Sequence, residues 1–98
     1  MKLETANCIK ILLQNESMIH SEFQVSSLSI FGSTARGDQN EESDVDIIVD
    51  MPPKLKLVVD LKEFLEKLLD KPVDLIRRHS HLSTEFLTSV AKDEISIF

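Results

Sequence analysis

Cysteine, long apolar runs and basic residues are all scarce in this 98-residue sequence. The single cysteine, Cys8, cannot form an internal disulfide, which is typical of a reducing compartment and predicts a cytoplasmic protein. The longest apolar runs, such as residues 11–13, are far too short to span a bilayer. Lys2 and Glu4 carry charges where a signal peptide would be apolar, so we do not expect export.

The deficit of basic residues limits the classes of partner. Eleven Lys and Arg stand against seventeen Asp and Glu, which gives a net charge of −6. Direct binding to nucleic acid is therefore not expected, because phosphate contacts need positive charge, although a local contact or one through metal ions stays open. With 42% hydrophobic and 29% charged residues, positions 1–98 are predicted to form one soluble domain.

Glycine is also scarce, with two residues where an average chain of this length has about seven. Both lie close together, at Gly32 and Gly37. The sequence thus concentrates its most permissive backbone positions in one short segment, and that segment is the first candidate for a functional site.

Hydrophobic periodicity predicts alternating helices and strands. We expect helices over about 2–15 and 82–92, a longer one after Pro52-Pro53 that ends before Lys71-Pro72, and a short helical turn over 33–37. We expect strands over 25–31, 45–49 and 73–76 and a short one near 95–97, with turn or loop at 15–21 and 38–43. The predicted fold class is α/β (α+β): a small mixed sheet of three or four strands packed with helices.

The strand predicted over 45–49 begins beside two carboxylates. Side chains on a strand alternate between faces, so Asp44 and Asp46 point the same way. Two carboxylates this close repel each other unless a cation lies between them, and Mg²⁺ or Mn²⁺ prefers such oxygen ligands. A third acid, Asp74, stands near the start of the next predicted strand and joins the pair if the strands are neighbours. Three carboxylates can hold two divalent cations.

The turn after the first strand is suited to an anion. Gly32 has no Cβ to keep the backbone away from a bulky phosphate, and Ser33 adds a hydroxyl at the start of a short helix. Arg36, one turn along the same helix, can reach the phosphates or pair with an acid, and the sequence favours neither. Gly32, Ser33 and Arg36 are therefore the candidate nucleotide-binding residues.

The combined pattern resembles a known signature. Gly-Ser-Thr-Ala-Arg-Gly at 32–37, followed by Ser-Asp-Val-Asp at 43–46, resembles the motif of the minimal nucleotidyltransferases (MNT) of the DNA polymerase β-like superfamily. Val-Asp-Leu-Ile at 73–76 is similar to the family's third-acid strand, and Glu-Ile-Ser-Ile-Phe at 94–98 to its closing strand. The resemblance covers nearly the whole chain and implies the nucleotidyltransferase fold.

The resemblance also implies roles and partners. In that family the Gly-Ser turn binds the nucleoside triphosphate and three acids bind two Mg²⁺ ions. By position these roles fall on Gly32 and Ser33, and on Asp44, Asp46 and Asp74, which are the candidate catalytic and metal-binding residues. Many such small proteins are similar to antitoxins paired with a HEPN ribonuclease toxin, and some transfer AMP from ATP to a toxin tyrosine.

The leading hypothesis is therefore AMP transfer from ATP to a tyrosine of a cognate HEPN toxin, with the two proteins forming a hetero-oligomer. One alternative is an antitoxin that neutralises its toxin by binding alone, and another is a nucleotidyltransferase that modifies small molecules such as antibiotics. The basic segment from Arg77 to His81 is open to two interpretations as well: contact with the polyphosphate or the partner, or a solvated loop.

Overall fold

The computed structural model describes residues 2–98, which form a four-stranded sheet and five helices. The helices are α1 (Thr5–Gln14), α2 (Glu16–Phe23), α3 (Gly32–Arg36), α4 (Leu55–Leu69) and α5 (Thr84–Asp93). The strands are β1 (Ser27–Phe31), β2 (Val45–Asp50), β3 (Val73–Arg77) and β4 (Ile95–Ser96). No helix within this range has the length and apolar character needed to cross a bilayer.

The sheet is mixed, in the order β3-β2-β1-β4. The strands β1 and β2 are antiparallel, as are β1 and β4, whereas β2 and β3 are parallel. A parallel pair needs a crossover connection, and α4 provides it between β2 and β3. The predicted α/β class with a small mixed sheet is confirmed.

One face of the sheet carries the main hydrophobic core. Ile47 and Val49 of β2 point to this face and are completely buried, together with Leu61 and Leu65 of α4. The same core cluster includes residues of α1, α2, β1 and β3. Because strand side chains alternate, the intervening β2 residues, Asp46 among them, point to the opposite face.

The segment 15–21 was predicted to turn, and that prediction is wrong, because α2 runs from Glu16 to Phe23. Asn15 alone separates α1 from α2, and its side-chain amide donates to the Ile11 carbonyl at 2.8 Å. Ile19 is the buried residue of α2. One buried position gives no periodic signal, so the helix depends on packing of Ile19 into the core.

The short helix α3 forms where the sequence predicted it. Gly37 ends it with a φ of +86°, and its N–H donates to the Ser33 carbonyl at 2.9 Å. This left-handed residue at a helix end is the usual role of glycine. The turn places Ser33 directly after β1, at the edge of the face that carries Asp46.

Candidate active site

Strand register places two of the three predicted acids side by side. In the parallel ladder of β2 and β3, Asp46 is paired with Asp74, so both side chains point to the same face of the sheet. Asp46 is half-buried and Asp74 is exposed. Asp44 lies two residues before Asp46, just outside the start of β2, and is exposed as well.

Hydrogen bonds at the strand ends fix this register. The Val45 N–H donates to the Pro72 carbonyl at 2.9 Å, and the Val73 N–H donates to the Glu66 carboxylate of α4 at 3.0 Å. Each bond anchors the residue next to an acid. The first bond joins the start of β2 to the residue before β3, and the second ties the start of β3 to α4, so together they keep Asp46 aligned with Asp74.

The loop before Asp44 is held by its own polar side chains. The Asn40 N–H donates to the Ser43 hydroxyl at 3.0 Å, and the Glu42 N–H donates to the Asn40 side-chain oxygen at 2.8 Å. Gln39 is buried, and its side-chain nitrogen donates to the Leu3 carbonyl at 2.6 Å. These contacts lead the chain to Asp44 in a defined turn.

The acids share one electrostatic environment centred on Asp46. Partial burial raises the pKa of the Asp46 carboxyl, and the neighbouring Asp74 and Asp44 charges raise it further, whereas Arg36 lowers it. Desolvation and like charges both disfavour the ionised form. A cation placed among these carboxylates would relieve the repulsion.

Gly32 brings the backbone of α3 against this acid. Its φ is +69°, and a Cβ at this position would overlap Oδ2 of Asp46 and lie 3.1 Å from Cγ. Phe31, the residue before it, is paired with Asp46 in the β1–β2 ladder. The carboxylate of Asp46 therefore packs directly against the Gly32 backbone, an approach that only a residue without a side chain allows.

The acids fit Mg²⁺ or Mn²⁺ as a partial ligand set. Within residues 2–98, no three His, Cys, Asp or Glu side chains converge closely enough to cage a metal by themselves. Mg²⁺ seldom uses such cages, since it keeps several waters and binds one or two carboxylates together with substrate phosphates. The aligned Asp46 and Asp74, with Asp44 nearby, match that donor chemistry.

Arg36 is paired with acids. Its Nε lies 3.0 Å from Oδ2 of Asp38, and its Nη1 lies 2.8 Å from Oδ2 of Asp93 in α5. Arg36 therefore joins α3 to α5 while remaining close enough to affect Asp46. Sequence reasoning missed Asp93, because no local pattern links it to a residue 57 positions away.

The basic segment after β3 divides into two parts. Arg78 forms an ion pair with Glu94, so it links the end of β3 to the start of β4. His79 and His81 are exposed, with ring centroids 6.1 Å apart, and they belong to no metal-binding group within residues 2–98. The segment thus contributes an ion pair next to the sheet and two solvent-facing histidines.

A family described as "Polymerase beta, Nucleotidyltransferase" matches residues 8–98 of this chain. The chain belongs to this nucleotidyltransferase family. The match includes α3, all four strands and every acid discussed above. The mixed sheet with Gly32 and Asp46 at neighbouring strand ends is accordingly that of a nucleotidyltransferase, and the protein is an enzyme of this class.

Curated relatives of this nucleotidyltransferase are named as protein adenylyltransferases. A candidate protein adenylyltransferase of Methanocaldococcus jannaschii is 36% identical over 100 residues, which cover 97% of this chain and all of the relative. The protein adenylyltransferase MntA of Thermococcus cleftensis is 40% identical over 72 residues, which cover 71% of this chain and 73% of the relative. Adenylyl transfer is therefore the activity of the group to which this nucleotidyltransferase belongs.

Several solved structures of similar fold are toxin–antitoxin complexes. A toxin–antitoxin complex with AMP-PNP matches with a TM-score of 0.68 and 26% identity, over 98% of this chain and 73% of the other. An MNT antitoxin in complex with a tri-AMPylated HEPN toxin of Shewanella oneidensis matches with a TM-score of 0.65 and 19% identity, over 92% and 71%. The second similarity shows the shared fold alone.

A methyl group at Gly32 tests the close approach to Asp46. We expect Gly32→Ala to lower the free energy of unfolding more than the control Gly37→Ala, because both have positive φ but only Gly32 meets a side chain at overlapping distance. The backbone strain alone costs roughly 1 kcal/mol. Urea unfolding measures both variants. Adding Asp46→Ala to Gly32→Ala should recover part of the loss, and strictly additive effects would contradict the contact.

The raised pKa of Asp46 predicts how stability depends on pH. The folded state holds this proton more tightly than the unfolded chain, so stability falls as pH rises from the ordinary aspartate pKa through the raised one. In EDTA at pH 7 we expect Asp46→Asn to melt at a higher temperature than the wild type, with the difference closing towards about pH 4. Calorimetry over this pH range measures it.

The matched control is Asp50→Asn, on the same face at the other, exposed end of β2. It should give no such gain in melting temperature. An Asp46→Asn variant that melts below the wild type at pH 7 in EDTA would show that the Asp46 charge does not oppose folding.

Proposed function

We propose that this nucleotidyltransferase transfers AMP from Mg²⁺-bound ATP to a tyrosine hydroxyl of a cognate HEPN toxin and so acts as its antitoxin in the cytoplasm. Asp44, Asp46 and Asp74 bind two Mg²⁺ ions, and Gly32 and Ser33 bind the triphosphate. The observation that carries the proposal is the alignment of Asp46 with Asp74 next to the Gly32 backbone.

The chemistry of the donors supports this assignment. Partial burial and the neighbouring Asp74 and Asp44 charges raise the pKa of the Asp46 carboxyl, as expected of a carboxylate placed where a cation binds. Gly32 and Ser33 begin α3 directly beside Asp46, and the backbone N–H groups at the start of a helix together with the Ser33 hydroxyl suit a triphosphate. Bound Mg²⁺ would supply neutralisation of the triphosphate and polarisation of its oxygens.

The proposed step is an in-line substitution at the α-phosphorus. The tyrosine oxygen forms a bond to the α-phosphorus, the bond from that phosphorus to the oxygen bridging to the β-phosphate breaks, and pyrophosphate leaves with the bonding electrons. The hydroxyl proton passes to one of the three carboxylates, which acts as the general base. Arg36, close to Asp46, adds positive charge near the developing negative charge.

Two similarities support the partner. One structural neighbour is a toxin–antitoxin complex with AMP-PNP, an ATP analogue. Another is described as an MNT antitoxin in complex with a tri-AMPylated HEPN toxin. That toxin carries AMP groups of the kind that the proposed reaction adds. The relatives named protein adenylyltransferases agree in the group transferred.

The test is mass spectrometry of the cognate HEPN toxin after incubation with this protein, ATP and Mg²⁺. We expect AMP-sized mass increments on the toxin, a loss of at least about a hundredfold in rate for Asp44→Asn and Asp46→Asn, and little change for the control Asp50→Asn. Removal of Mg²⁺ by EDTA should abolish the increments.

Four outcomes would contradict the proposal. Absence of increments with the wild type, or undiminished transfer by both site variants, would refute catalysis at these acids. Protection of toxin-expressing cells by the Asp44→Asn/Asp46→Asn double variant would indicate neutralisation by binding alone. Turnover of an aminoglycoside without any protein partner would indicate a small-molecule nucleotidyltransferase.

A further inference from the structure

The five aromatic residues of the chain are all phenylalanines, and they divide between the two faces of the sheet. Phe23, Phe64 and Phe98 pack against the main core cluster. Phe31 and Phe86 lie outside that cluster, and Phe31 points to the face that carries Asp46 and Asp74. Both are only half-buried. Phe31 therefore lies next to Asp46, and Phe86 packs on the ring of Phe31.

The register of β1 and β2 fixes the distance between Phe31 and Asp46. Phe31 is directly opposite Asp46 in the antiparallel ladder of β1 and β2, and such partners have Cβ atoms roughly 5 Å apart. The ring centroids of Phe31 and Phe86 are 6.1 Å apart and the ring planes are at 89°. In an edge-to-face pair, the edge of one ring meets one face of the other, so the remaining ring faces are not covered by the partner ring.

Phe86 is held in place from two sides. The Ser83 hydroxyl caps α5 by accepting the Phe86 N–H at 3.1 Å, which fixes the first turn of the helix. At the other end of α5, Asp93 binds Arg36 of α3. The helix is thus tied to the segment that carries the Gly32–Ser33 turn, so the ring is pre-positioned.

We propose that Phe86, supported by Phe31, forms the subsite that stacks against the nucleobase of the bound nucleoside triphosphate. The proposal rests on the proposed function, in which the acids and the Gly32–Ser33 turn take the phosphates. The base of a nucleotide lies one ribose away from the α-phosphate, and the aromatic pair is the apolar surface next to Asp46 on that face. Stacking on an aromatic ring needs no hydrogen-bonding partner for the base.

Stacking in this subsite contributes to the affinity for the nucleotide but discriminates only weakly between bases. A flat ring accepts any base, because every base has a π-face, and it prefers those that stack strongly. We expect purine nucleotides to bind more tightly than pyrimidine nucleotides, with only a small difference between adenine and guanine. Phe86 would therefore determine a preference for purine over pyrimidine nucleotides.

The test compares two ligands of the same polyphosphate chemistry, AMP-PNP and inorganic tripolyphosphate, by calorimetric titration in Mg²⁺. Loss of one stacked base contact corresponds to roughly 5- to 150-fold in affinity. We expect Phe86→Leu to weaken AMP-PNP by a factor in this range and to leave tripolyphosphate unchanged, while Phe86→Trp retains AMP-PNP binding. The control Phe64→Leu removes a ring from the Phe23–Phe64 pair on the other face and should change neither ligand.

The results that would overturn the proposal can be distinguished from one another and from a failure of the proposed function. Equal AMP-PNP affinity for the wild type and Phe86→Leu, or equal weakening of both ligands, would show that Phe86 only supports the fold. Unchanged AMP-PNP affinity with a raised KM for the toxin would assign the ring to the acceptor tyrosine. If the wild type binds AMP-PNP as described but transfers no AMP, the proposed function fails and the subsite stands; if it binds no AMP-PNP, both fail.

Discussion

Repulsion among carboxylates on one face of a small sheet is the constraint on which this structure depends. Asp46 is partly removed from water and faces the charges of Asp74 and Asp44, so its ionised form is disfavoured. The parallel register of β2 and β3 enforces the proximity, and the Gly32 backbone packs directly against the other side of Asp46. An arrangement that opposes folding and is still built into the register is expected of a site that holds cations.

The hydrophobic core on the opposite face of the sheet offsets the repulsion among the acids. Val45, Ile47 and Val49 alternate with Asp46 along β2 and are buried against α4 and the helices α1 and α2. Their burial stabilises the strand on one face while the acids destabilise it on the other. Hydrogen bonds from Val45 and Val73 at the strand ends then prevent the slip in register that would separate the acids.

Local patterns predicted the parts of the fold that sequence periodicity controls. The strands around Ile30, Ile47 and Leu75, the helix that ends before Pro72 and the short turn closed by Gly37 all stand where their residue types indicate. The helix α2 was missed, because its single buried residue gives no period. The meeting of Asp46 and Asp74 was predictable once their strands were assumed to be neighbours, and their role as metal ligands stays a prediction.

Side-chain pairings between residues far apart in the chain could not be predicted from the sequence. The partner of Arg36 was left open, and the structure supplies Asp93 from the far end of α5. The sequence likewise does not predict the aromatic pair of Phe31 and Phe86, because 55 positions separate the two residues and only the packing of α5 over β1 brings them together. Local chemistry identified the candidate acids and the turn, whereas the tertiary fold determines what surrounds them.

Anomalous diffraction from crystals grown with Mn²⁺ and AMP-PNP is the most direct measurement of whether the three acids bind cations together with a triphosphate. The account predicts manganese peaks between the carboxylates of Asp46 and Asp74, with phosphate oxygens of the nucleotide completing their coordination against the Gly32–Ser33 backbone. Manganese or nucleotide bound elsewhere, with these carboxylates left facing water, would contradict it.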